Sequence, residues 1–144
     1  MVKASRLLRY GWAAPYTVLG LLLGAVGVLC GAQWRTHRGV VEVFGGHIGE
    51  GIARLPPALG FSAMTLGHVI LAVDRSAMAE LRAHERVHVR QYERWGPLFV
   101  PAYLLSSLVQ LLRGRNPYRE NHFERQAYAV AGGRRQLGRE QAGH

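Results

Sequence analysis

Arg75-Ser76-Ala77-Met78-Ala79-Glu80-Leu81-Arg82-Ala83-His84-Glu85-Arg86-Val87-His88-Val89-Arg90-Gln91-Tyr92-Glu93-Arg94 is helical by every local signal. Asp74 or Ser76 supplies an N-cap, and Trp95-Gly96-Pro97 supplies the stop. At the helical angle of about 100° per residue, Leu81, His84, Glu85, His88, Gln91, Tyr92 and Trp95 gather on one side. Arg82, Arg86, Arg90, Glu93 and Arg94 fall on the other. The inner face therefore carries two histidines and a glutamate, whose burial is costly unless they are paired or ligand-bound. Such a helix belongs in a packed domain whose other elements supply the missing partners.

His84-Glu85-Arg86-Val87-His88 is an HExxH sequence. Positions four apart on a helix project from one face, so both imidazoles can reach one cation. Neutral imidazole suits zinc, and two histidines leave room for a third protein ligand and a water. The glutamate beside the first histidine then lies next to that water as catalytic base. With seven histidines and eight glutamates in 144 residues, about 0.02 such matches arise by chance.

The third ligand must come from elsewhere, and Glu120-Asn121-His122-Phe123-Glu124-Arg125-Gln126-Ala127-Tyr128 holds the candidates. Glu120 and Glu124 are one helical turn apart, and Phe123 and Ala127 can pack the same helix on the core. Glu124 is the preferred ligand, with Glu120 and His122 as alternatives. A His₂Glu set of this kind leaves one position open.

The HExxH segment followed by Glu124 within Phe123-Glu124-Arg125-Gln126-Ala127 resembles gluzincin metallopeptidases. The similarity is to the single-domain minigluzincins and the membrane-bound relatives of heat-shock protease X, and it covers roughly residues 60 to 131. The resemblance implies a zincin-like domain in which one helix gives two zinc ligands and the base, and the next core helix gives a glutamate. It also implies a β-strand edge that receives the substrate backbone, and Phe61 to Val73 is its natural source. One departure is Tyr128, which stands where family members often carry an acidic residue. Tyr128, Tyr118 or His68 can instead polarise the scissile carbonyl; packing or capping is the plainer role for each.

Upstream of this segment the period changes. Val40-Val41-Glu42-Val43-Phe44 has strand composition and stops at Gly45-Gly46. Gly49 to Gly60, with Pro56-Pro57, reads as a short turn of helix and a loop. Phe61 to Val73 reads as a second β region with a bend or hairpin at Gly67. Together these predict a small antiparallel β element.

Tyr10 to Trp34 carries no charge, and Val18 to Cys30 is almost purely aliphatic and glycine. A helix of that length can cross a hydrocarbon core of roughly 30 Å. Trp12, Tyr16 and Trp34 lie near its ends, where aromatic rings favour the headgroup layer. Pro15 is expected in its first turn. A retained transmembrane anchor is the leading reading; a cleaved signal peptide and a buried core helix are the alternatives. Leu98 to Leu112, the second uncharged run, reads as a buried or membrane-dipping helix. A last helix is expected from Tyr118 through Ala131, with Gly132-Gly133 opening a basic tail.

The formal charge of +9 comes almost wholly from arginine, since Lys3 is the single lysine. The arginines are spread along the chain, which fits contact with anionic lipid or an arginine-favouring genome better than a nucleic-acid patch. No glycine-rich phosphate loop is present, because Gly45-Gly46 and Gly49-Gly51 lack a lysine. A single cysteine, Cys30, excludes an intrachain disulfide and a cysteine zinc cluster; it reads as buried and inert. His37, His47 and His144 lack partners at ligand spacing and read as surface or loop residues.

The expectation is an α+β, predominantly helical chain. It divides into an N-terminal basic segment and apolar helix (1–35), a zincin-like domain (36–133) and a basic tail (134–144). Its expected activity is zinc-dependent hydrolysis of a peptide or protein substrate at a membrane, a bacterial inner membrane by preference, with secretion after signal cleavage as the alternative. Nucleic acid is not an expected partner. The competing functional reading is a membrane-associated binding protein with a structural zinc site.

Overall fold

The computed structural model describes residues 2–55 and 61–142, with side chains described for 7–55 and 61–133. In chain order the elements are α1 (Val2–Leu29), β1 (Gln33–His37), β2 (Val40–Phe44), α2 (Gly46–Ala53), β3 (Ala63–Leu66) and β4 (Val69–Ala72). They continue with α3 (Arg75–Trp95), a 3₁₀ turn (Gly96–Leu98), α4 (Phe99–Leu112) and α5 (His122–Ala142). The class is α+β and predominantly helical, as the sequence predicts.

The sheet corrects one expectation. It is mixed rather than antiparallel, with strand order β1-β2-β4-β3. β1 with β2 and β3 with β4 are antiparallel, but β2 and β4 run parallel, Val41 opposite Val69 and Phe44 opposite Ala72. The parallel pair arises because α2 and β3 intervene before the chain returns, and a crossover of that length permits a parallel neighbour. β3 and β4 form the predicted hairpin, turning at Gly67 with φ +59°, a backbone state open to glycine. The loop expected at Pro56-Pro57 lies outside the described residues.

Strand alternation sends side chains to two cores. Val40, Phe44, Ile70 and Ala72 meet Met78 and Val89 of α3 on one face. Val43, Val69 and Leu71 meet Val28 of α1 and Ile48 and Ile52 of α2 on the other. All four residues of β4 are buried, as befits a strand covered on both faces. A third cluster joins Ala13, Tyr92, Phe99 and Phe123 where α1, α3, α4 and α5 converge.

Glu42 of β2 points toward α3 and is fully buried. Its carboxylate accepts hydrogen bonds from Arg82 Nε at 2.6 Å and Arg35 Nε at 2.7 Å. Arg82, expected on the outer face of α3, is therefore drawn in against the sheet. Trp95 departs the other way: expected on the inner face, it is 41% exposed, because the helix ends there and its ring lies over Phe123 at the rim.

Several boundaries also differ. α1 begins at Val2, so Pro15 lies inside it rather than in its first turn. The uncharged run does not continue helical to Trp34; α1 ends at Leu29, and Trp34 and His37 belong to β1. Cys30 follows the helix and is exposed, not buried. His47 is an exposed residue of α2, as expected, and His144 lies outside the described residues. α4 is not buried: Leu104, Leu105, Leu108, Leu111 and Leu112 are exposed on it. α5 starts at His122 instead of Tyr118 and runs through Gly132-Gly133 to Ala142. Glycine costs a helix only about 1 kcal/mol relative to alanine, so the pair need not end it.

Candidate metal centre

Asp74 accepts a hydrogen bond from the Ala77 amide at 2.8 Å, so it caps α3 and sets where its turns begin. Two and a half turns later His84, Glu85 and His88 face inward, all at least nine-tenths buried. α5 approaches from the opposite side. Asn121 caps it, accepting from the Phe123 amide at 2.9 Å, and places Glu124 in the first turn. The Asn121 amide nitrogen also donates to the Tyr103 carbonyl at 2.9 Å and to Ser107 Oγ at 2.7 Å. Those bonds fasten the start of α5 to α4.

His84 Nε2 lies 3.0 Å from Glu124 Oε2 and 3.2 Å from His88 Nε2, and His88 Nε2 lies 3.3 Å from Glu124 Oε1. Zinc–ligand bonds of about 2.0–2.1 Å at tetrahedral angles put neighbouring donor atoms about 3.3 Å apart. The separation of the two imidazole nitrogens is close to that edge, and each imidazole faces its own oxygen of Glu124 at a similar distance. Two imidazole nitrogens and a carboxylate are also a donor set suited to zinc. Without a cation, two ring nitrogens would turn lone pairs toward each other unless one held a proton. Among the described residues, this is the group of histidine and acidic side chains close enough to share a metal ion. Glu120 and His122 are not part of it. His122 is exposed and sits 3.1 Å from Gln126 Nε2.

The surrounding shell orients the ligands. His88 Nδ1 donates to Gln91 Oε1 at 2.8 Å, which leaves Nε2 free for a metal. Gln91 is held in turn by the Phe123 carbonyl and Gln126 Oε1, each 3.1 Å from its amide nitrogen. Tyr103 Oη donates to Glu124 Oε1 at 2.7 Å. His84 Nδ1 is buried with no hydrogen-bond partner among the described residues, and the Tyr128 ring packs against this imidazole at 4.5 Å.

Glu85 stands beside the triad. Its Oε2 accepts from Thr65 Oγ1 of β3 at 2.7 Å. Burial pushes its carboxyl above the usual carboxylate range, against the opposing pull of His88 and Thr65. Burial likewise disfavours charge on Glu124, but hydrogen bonds from His84 and His88 overcome it and hold the pKa down to about 2. Burial opposes charge on His88 too, and there the Glu124 hydrogen bond and the Glu85 charge prevail and raise it. The two carboxyls thus differ: their surroundings favour charge on Glu124 and disfavour it on Glu85.

A pocket of about 210 Å³ opens onto Glu85, His88 and Glu124, walled by β3, Phe99, Val100 and Tyr103 of α4, and Tyr118. β3 is an edge of the sheet; among the described residues it pairs with β4 alone. That edge, unpaired among the described residues, borders Glu85, His88 and Glu124. Tyr118 lies on this wall, and Tyr128 Oη is 3.5 Å from Tyr118 Oη. His68 is placed elsewhere. It stacks on Tyr10 at 3.9 Å, and its ring nitrogens contact Thr17 Oγ1 and Glu93 Oε1, so it joins α1 to the hairpin instead of facing the pocket.

The sequence reading missed Asn121, Gln91's orienting role, Tyr103 and Thr65. Asn121 had a readable signal: an asparagine three residues before a glutamate is a cap pattern. Tyr103 lies in a run of apolar residues and carries no local mark of its role. No protein-family model, characterised protein or solved structure matches this chain.

Proposed function

We propose that this chain is a membrane-associated zinc metallopeptidase of the gluzincin type. The observation that carries the reading is the convergence of His84, His88 and Glu124 at zinc-like separations, with buried Glu85 and a free strand edge beside them. Zinc held by the three side chains would act as a Lewis acid on water and on the scissile carbonyl.

The chain's own groups supply the rest. An extended peptide adds to β3 through main-chain hydrogen bonds, which positions one carbonyl over the pocket without demanding a particular side chain. Glu85 takes a proton from the attacking water and passes it to the leaving amine. Its raised pKa suits a group that must hold the proton between those two transfers. Thr65, on the strand that receives the peptide, holds the Glu85 carboxylate in place. Tyr118, on the wall of the pocket that opens onto Glu85, His88 and Glu124, is the proposed donor to the developing oxyanion; Tyr128, its hydroxyl 3.5 Å away, borders His84 and Glu85 in an adjoining cleft.

The membrane association has separate support. Two helical stretches, Leu7–Leu29 and Arg75–Leu112, contain windows long and apolar enough to cross a bilayer by length and composition.

The test is metal content and peptide hydrolysis of the wild type beside Glu85→Gln. One zinc per chain in both, with hydrolysis and hydroxamate binding in the wild type and hydrolysis lost in the variant, is the expected result. Zinc without hydroxamate binding would instead favour a closed, structural site.

A further inference from the structure

α1 is uncharged from Tyr10 to its end, yet it does not stand free of the domain. Its buried positions are Ala13, Gly20, Gly24 and Gly27, with Thr17 partly buried among them. That spacing of three and four is one stripe of a helix. The stripe lies on the sheet. A β-carbon added at Gly20 would meet Val69 and Leu66, one at Gly24 would meet Val43, and one at Gly27 would meet Ile48 of α2, so the backbone lies close on these neighbours. Thr17 Oγ1 accepts from the His68 amide at 3.1 Å. Beside it in the chain, Tyr16 Oη donates to the Pro97 carbonyl at 3.4 Å. The helix touches all four strands.

The opposite flank is bare and apolar. Leu8, Leu19, Leu22, Val26 and Leu29 are each 45–87% exposed, and Trp12, half-exposed, lays its indole against Gly96. A contiguous surface of this kind on a soluble monomer marks an interaction site. Arg38, at the β1–β2 turn, lies beside Arg9 and Tyr10, so these cationic side chains gather at one end of the flank. Aromatic rings lie at both ends, Trp12 at 49% and Trp34 at 61% exposure. An apolar face with exposed tryptophan at its margins and cationic side chains at one end fits an anionic lipid surface rather than a protein groove.

A perpendicular orientation conflicts with the docked stripe. A helix that touches every strand would carry the sheet into hydrocarbon with it. Among the described residues the sheet is open at β1 and β3, and unpaired strand edges are not found facing lipid. It also carries Glu42 and Arg35 on β2 and β1. We propose that α1 is a permanent layer of the domain that lies in the plane of an anionic bilayer, inner stripe on the sheet and outer flank in the acyl layer. It then neither spans the membrane nor is removed as a signal. The inference rests on the membrane association proposed above and is independent of the zinc chemistry.

The test uses the full chain added to preformed vesicles of phosphatidylethanolamine and phosphatidylglycerol. Flotation is measured first. Single cysteines are then introduced as Ser5→Cys, Leu22→Cys and Gln33→Cys in a Cys30→Ser background and labelled with a membrane-impermeant maleimide; Ser5 lies near the start of α1 and Gln33 just past its end. We expect flotation, labelling of positions 5 and 33 from outside, and labelling of position 22 slowed by on the order of tenfold when vesicles are present. Flotation with position 5 or 33 protected until detergent is added would overturn the in-plane arrangement while leaving membrane association intact. Failure to float, with the chain forming a dimer in buffer, would overturn both and assign the flank to a second copy. Neither failure touches the zinc content of the same samples, which reports on the metal reading alone.

Discussion

Tyr103 on α4 and Glu124 on α5 are joined by a 2.7 Å hydrogen bond, donated by the phenol to the carboxylate oxygen that also faces His88. A helix whose outer side is bare leucine thereby reaches the candidate metal centre through one hydroxyl. Tyr103 fixes the angle at which the carboxylate meets the two imidazoles and occupies a lone pair that would otherwise be free to rotate.

Tyr103→Phe should therefore leave the fold unchanged and weaken zinc binding by about 10–100-fold, the usual effect of removing an outer-shell partner. Competition against a chromophoric chelator reads this directly. Unchanged affinity would reduce Tyr103 to a packing residue of the Phe99–Phe123 cluster.

How far this arrangement was legible in the sequence follows from where its information resides. α3 was readable because motif, period and cap all lie within one segment. The β3–β4 hairpin was readable for the same reason, Gly67 marking its turn. The parallel pairing of β2 with β4 was not, since nothing in Val40–Phe44 records a partner some 30 residues away. β1 was hidden because uncharged Gln33 and Trp34 continue the composition of α1, and only the turn at Gly31, φ +89°, separates them. The burial of Glu42 was not legible in its strand, because it depends on Arg35 and Arg82, which lie 7 and 40 residues away. Glu124 was identified as a ligand because the histidines demanded one, whereas Asn121, which sets it in place, was obscured by starting the helix at Tyr118.

Glu42 connects the sheet to the turn of α3 just before His84, which gives the second prediction. Glu42→Ala removes a fully buried carboxylate and leaves Arg35 and Arg82 without it. Stranding buried charge costs about 3–5 kcal/mol. The two guanidinium groups are 36% and 25% exposed and can rehydrate in part, so a loss of about 1–3 kcal/mol is expected. Denaturant unfolding of the zinc-free protein measures it. A loss below about 0.5 kcal/mol would make the cluster an ordinary surface network.

Zinc affinity should weaken on acidification, and from a higher pH than an ordinary histidine pair would show. Burial disfavours the charged form of His88, yet the Glu124 hydrogen bond and the Glu85 charge leave its pKa above the ordinary 6.5 in the metal-free protein. Zinc requires the neutral ring, so binding must release that proton. Below the raised pKa each pH unit then removes about tenfold in affinity; above it the dependence flattens. Titration calorimetry in two buffers of different ionisation enthalpy should show net proton release near neutrality. No buffer dependence would mean that His88 is already neutral before zinc arrives.

The packing of α1 on the sheet makes the last prediction. A β-carbon on Gly20 would lie 2.8 Å from Val69 Cβ and 2.9 Å from the Leu66 carbonyl oxygen. A carbonyl at the tip of a hairpin cannot yield as a side chain does, so any larger residue must lift the helix. Gly11 is the natural control: it lies on the same helix, and a β-carbon there meets nothing within 4 Å. Overpacking at Gly20→Leu should cost about 1–3 kcal/mol, lowering the melting temperature by about 3–10 °C for a domain of this size. Gly11→Leu should match or exceed the wild type, because leucine is the better helix former. Thermal unfolding in mild detergent, followed by near-ultraviolet circular dichroism, separates the two. Equal melting temperatures for both variants would mean that α1 contributes nothing to the folded domain. The helix would then be a detached span, the sheet would be stable without it, and the stripe of small residues would have no packing role.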